Sequence, residues 1–89
     1  MAERSDEYII GRLIERSRLL IALSDEIPVE TKLQTQPLLK DLERALALPA
    51  GAQDEELVRG KYALLYGELA DYADLEALLA ALKNFVPYL

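Results

Sequence analysis

Leucine, isoleucine and valine occupy 27 of the 89 positions, and they recur three and four residues apart, the spacing that lines one face of an α-helix. Ile10, Leu13, Ile14, Ser17, Leu20 and Ile21 fall on one such face. Leu38, Leu39, Leu42, Ala45 and Leu46 form a second stripe, and Val58, Tyr62, Leu65, Leu69 and Tyr72 a third. Leu75, Leu78, Leu79, Leu82, Phe85 and Val86 repeat the pattern to the end of the sequence. Leu and Ala dominate while β-branched runs are almost missing, which disfavours strands. The expected fold is all-α, a single helical domain over residues 1–89, built as a small antiparallel bundle of three to four helices.

Punctuation divides the pattern. Ser5 is a candidate cap for a first helix over about residues 5–24, with Asp6 and Glu7 against its positive end, and Ile27-Pro28 stops it. The second helix has two possible starts. An early start near Pro28 or Thr31, where Thr31 with Gln34 resembles a capping box, would leave Pro37 inside the helix and kink it; a start at Thr35 would place Pro37 harmlessly in the first turn. Pro49-Ala50-Gly51 makes the clearest loop, and Asp54 caps the third helix. No proline or glycine separates the third segment from the last. A break near residues 72–74, with Asp71 or Asp74 as cap, is expected; the alternative is one helix over residues 54–84, about 45 Å long at 1.5 Å per residue.

Composition narrows the chemistry. With no histidine and no cysteine, a Ser-His-Asp triad, a Cys-His pair and a zinc site with nitrogen or sulfur ligands are out of reach. Carboxylate pairs such as Asp25/Glu26, Glu55/Glu56 and Asp71/Asp74 sit where helices begin or loops turn, so capping accounts for them. Neither a Gly-rich phosphate loop nor an alternating calcium loop is present. No enzyme activity, no cofactor and no metal are expected.

The net charge of −6 and pI near 4.5 make nucleic acid a poor partner. Arg4, Arg12, Arg16 and Arg18 are offset by Glu3, Asp6, Glu7 and Glu15, and Glu15 reaches Arg18 one turn on. The longest apolar runs, residues 19–23 and 77–82, fall short of the roughly 18 residues of a membrane span. The first seven residues carry both signs of charge and lead into no secretory core, so a cytoplasmic chain is expected.

A domain of this length buries only about 60–65% of its unfolded surface. The aliphatic surplus therefore predicts association into a larger helical assembly or binding to a protein partner. Leu19 and Leu23 project away from the Ile14/Ile21 face onto the side carrying Arg12 and Arg16, either as a docking patch or to meet helix two or the Ile27 loop. Gly60, Ala63, Gly67 and Ala70 form a small-residue stripe opposite Val58/Leu65/Leu69. Each interior glycine costs roughly 1 kcal/mol relative to alanine, so close approach of another helix is one reading and tolerated exposure the other. Tyr62 and Tyr72 belong to the core by spacing, whereas Tyr66 lies to the side as a surface contact.

The functional expectation is a non-catalytic interaction module, a homodimer or adaptor, using Arg12, Arg16, Leu19, Leu23, Gly60, Gly67 and Tyr66. The alternative is an acidic antagonist of the antitoxin, immunity or nucleic-acid-mimic kind, working through its negative surface.

Overall fold

The computed structural model describes residues 6–89, so the expected Ser5 cap and Arg4 lie outside the described residues. Within that span the chain forms α1 (Asp6–Leu23), α2 (Val29–Leu46), a 3-10 turn at Ala50–Ala52, α3 (Glu55–Leu69) and α4 (Ala73–Leu82). No strand occurs among the described residues.

Helix α1 ends without a basic residue in its own last turn. The first turn of α2 supplies one: Lys32 Nζ donates to the Ala22 and Ser24 carbonyls at 3.2 and 2.7 Å, placing a cation at the negative end of the helix dipole. In the loop between them Ser24 Oγ accepts the Glu26 and Ile27 amides at 3.0 and 3.3 Å. That turn swings Ile27 into the core, where it is buried.

Helix α2 takes the earlier of its two possible starts, with Pro28 as N-cap and no side-chain capping bond. The Thr31/Gln34 box is therefore not used, and Thr35 is not a cap. It is fully buried, and its hydroxyl donates to the Thr31 carbonyl at 2.7 Å. Pro37 lies inside the helix, where it withholds one amide. Burial of Thr35, the Lys32 tie and the inward Ile27 hold the first turns in place despite that loss. Ser17 on α1 behaves like Thr35, buried with its hydroxyl bonded to the Leu13 carbonyl at 2.9 Å. These two small side chains stand equally far from the α1–α2 turn and satisfy their polar atoms locally, so neither leaves an unmet donor in the core.

Asp54 caps α3 as expected, its carboxylate accepting the Leu57 amide at 3.2 Å. The chain breaks after Leu69, and α4 starts at Ala73 with Tyr72 as an extended N-cap. One long helix is not formed, because Leu69 and Leu75 are both buried in the same cluster and reach it only if the chain folds back. Neither Asp71 nor Asp74 caps α4 through its side chain.

Helix α1 packs on α2 and α4, α2 on α3, and α3 on α4, closing a ring around one buried cluster that includes Ile14, Ile21, Leu42, Leu65 and Leu79. The α1–α2 and α3–α4 loops line one depression. The start of α1, the α2–α3 loop and the residues after α4 line another. Successive helices therefore run in opposite directions, in bundle-like packing. Leu38, Tyr72 and Phe85, expected in the stripes, are half-buried against the cluster.

The last turn of α4 tightens, with Lys83, Asn84 and Phe85 amides donating three residues back to Ala80, Ala81 and Leu82. That change of register skips the Leu79 carbonyl. The buried Tyr62 hydroxyl of α3 donates to it at 2.5 Å. Desolvation, with the nearby Tyr66 and Glu76, pushes the Tyr62 phenol from 10 up to about 12. The folded state thus holds this proton more tightly than the unfolded chain. Its contribution to stability is complete below pH 10 and is lost as pH climbs to about 12. Urea unfolding at pH 8 and pH 11 should show the wild type losing stability over this range. Tyr62→Phe should cost about 1 kcal/mol at pH 8 and show a shallower alkaline decline. Equal declines for the two proteins would remove Tyr62 from this role.

Candidate functional site

The inner face of α1 carries Ile10, Ile14, Ser17 and Ile21, all buried. A half-turn of the helix away, Tyr8, Arg12, Leu19 and Leu23 form a second stripe on the outer face. Leu19 is 44% exposed and Leu23 77%. Neither meets α2 or Ile27 closely enough to be covered, so the reading of these leucines as interior contacts does not hold within this chain.

Arg12, Glu15, Arg16 and Leu19 line a shallow depression on this face. The Arg12 guanidinium sits 6.0 Å from the Tyr8 ring centroid, within cation–π range. Glu15 is engaged by Arg18 through two hydrogen bonds, at 3.2 and 2.5 Å. That bonding holds the Glu15 carboxyl below its ordinary range and raises Arg18. Arg12 and Arg16 have no carboxylate partner among the described residues. The arginines flank Leu19 but do not ring both leucines. Leu23 instead borders the depression at the loop end of the bundle, with Leu20, Glu26, Ile27, Tyr72 and Asp74.

The other expected contacts lie on α3. Gly60 and Gly67 are exposed, and a Cβ at either would meet nothing within 4 Å. Gly67 borders a shallow depression with Tyr62, Tyr66, Lys83 and Leu89, and no other described helix reaches within 4 Å of either Cβ position. Tyr66 is drawn into the fold more than its spacing implied: it is half-buried against the core, its ring is 6.1 Å from that of Tyr62, and its hydroxyl donates to the Glu76 carboxylate at 2.7 Å. That bond, ahead of burial, raises its pKa. The structure thus groups Arg12, Arg16 and Leu19 on α1, sets Leu23 one turn further along the same face, and keeps Gly60, Gly67 and Tyr66 apart from them on α3.

Further apolar exposure was not singled out from the sequence. Val29 and Leu33 on α2 are each 70% exposed, and Leu64 on α3 is 59% exposed. Their positions off the core stripes carried that signal. Among the described residues no three carboxylates converge as a metal site, and no helix is long and apolar enough to cross a membrane. No family model matches the chain, nor does any curated protein by sequence or any solved structure by fold.

The open space beside the glycines has a direct consequence for stability. Gly60→Ala and Gly67→Ala should each stabilise the isolated chain by about 0.5–1 kcal/mol, because alanine favours the helix and strikes nothing. Urea denaturation checks this, and a loss of stability in either variant would reveal a contact that the bundle does not contain.

Proposed function

We propose that this chain is a non-catalytic protein-interaction module, a self-associating or adaptor subunit, and that the outer face of α1 is its docking surface. The observation that carries the reading is the exposure of Leu19 and Leu23 on the side of α1 opposite its buried isoleucines. Aliphatic side chains beside guanidiniums suit a protein interface, since the leucines exclude water and the arginines reach carboxylates on the partner. The absence of imidazole and thiol from the sequence supports binding rather than catalysis. A cytoplasmic setting belongs to the same proposal.

One observation favours the acidic-antagonist reading as a second choice. Asp25, Glu26, Asp71 and Asp74 are exposed around the two loops at one end of the bundle, and Lys32, the cation of that corner, is turned onto the α1 carbonyls. An antagonist using this end would bind its target at a rate that falls steeply with added salt.

Leu19→Ser with Leu23→Ser tests the leading reading. Both positions are exposed, so helicity by circular dichroism should be unchanged and stability should shift by no more than about 0.5 kcal/mol each. Proteins retained by the immobilised wild type from an extract of the source cells should be lost with the double variant. Retention of the same proteins by both would overturn α1 as the docking face.

A further inference from the structure

We propose, resting on the reading of α1 as the docking face, that the occupant of that face is the outer face of α3 on a second copy of this chain. The charges left over after internal pairing select this match. On α1, Arg18 neutralises Glu15, the carboxylate of the outer face, which leaves Arg12 and Arg16. On α3 the cations are the ones consumed: Arg59 pairs with Glu55 at 3.9 Å, and Lys61 with Asp41 of α2 at 3.1 Å. Glu56 and Glu68 stay exposed along α3 with no ion pair among the described residues.

Leu19 and Leu23 stand about 6 Å apart along α1 and Gly60 and Gly67 about 10.5 Å apart along α3, so one leucine can lie over a glycine while the other packs against Leu64. Leu19 and Leu23 project from α1, while the outer face of α3 has Gly60 and Gly67 with open space above them and Leu64 exposed between. A leucine of one helix resting over a glycine of another allows the backbones to come close. An α1–α1 contact would instead gather the Arg12 and Arg16 guanidiniums of both copies into one seam, where like charges repel.

This contact is heterologous, since a different surface is used on each side. Helices α1 and α3 are not neighbours in the ring, so their outer faces point away from the core on different sides. Each copy then has one face of each kind to offer, and assembly continues into a ring or filament and does not stop at a dimer.

Complementation tests the arrangement. Wild-type protein should sediment as species whose mass grows with concentration. Leu19→Asp with Leu23→Asp, and separately Gly60→Lys with Gly67→Lys, should each be monomeric yet fully helical. An equimolar mixture of the two should form a 1:1 dimer and nothing larger, because one intact face of each kind remains. Arg12→Glu with Arg16→Glu serves as a charge-only version of the α1 variant and should behave alike. A wild type that stays monomeric up to hundreds of micromolar overturns the proposal, while the role of α1 in binding other proteins is judged by the retention experiment. Self-association of the glycine variant equal to wild type, or a mixture that remains monomeric, overturns it as well.

Discussion

Each helix of a small bundle has one inward face, and that geometric limit governs this structure. Four helices of 10 to 18 residues offer four inward stripes, and those stripes are filled: Ile14, Leu42, Leu65 and Leu79 are each no more than 4% exposed. Aliphatic residues beyond the capacity of the stripes have nowhere inside to go. Leu19, Leu23, Leu33 and Leu64 remain outside because the wheel positions facing the core are already taken by their neighbours.

With so little depth, the ends of the bundle need polar ties, and the chain uses one device three times. A side chain from another segment satisfies carbonyls that a helix terminus leaves open. Lys32 does this for α1. Gln53 does it for α2, its amide nitrogen donating to the Leu46 and Leu48 carbonyls at 3.3 and 2.8 Å while its oxygen accepts the Tyr88 hydroxyl. Tyr62 does it for the carbonyl skipped in α4. Each bond also crosses between elements, so the groups that finish a helix are the groups that fix its neighbour.

These ties mark where reading the sequence runs out. The stripes on α1, α3 and α4 were legible because their period depends on local spacing alone, and so was the Asp54 cap. The outward direction of Leu19 and Leu23 followed from the same wheel. The start of α2 was not decidable, since the choice between a start near Pro28 or Thr31 and one at Thr35 turns on whether Thr35 is buried, which depends on how the rest of the bundle closes around it. Lys32, Gln53 and Tyr62 share the same limit. The carbonyls they bond lie 5 to 17 residues away, across turns whose path no local pattern specifies. The Tyr66 hydrogen bond was illegible for a related reason: Glu76 reaches it only because the chain reverses at residues 70–72.

The energetics of the outer faces limit what could cover them. Burying an exposed leucine fully is worth about 1.5–3 kcal/mol, so Leu19 and Leu23 together contribute at most about 6. Joining two molecules costs an estimated 4–15 kcal/mol or more. Two leucines against a featureless surface would therefore fail to hold a partner. A stable contact has to add further apolar surface, close backbone approach and matched charge on the opposing side. The outer face of α3, with its exposed Leu64, bare glycines and glutamates that have no ion pair among the described residues, offers all three to the proposed contact.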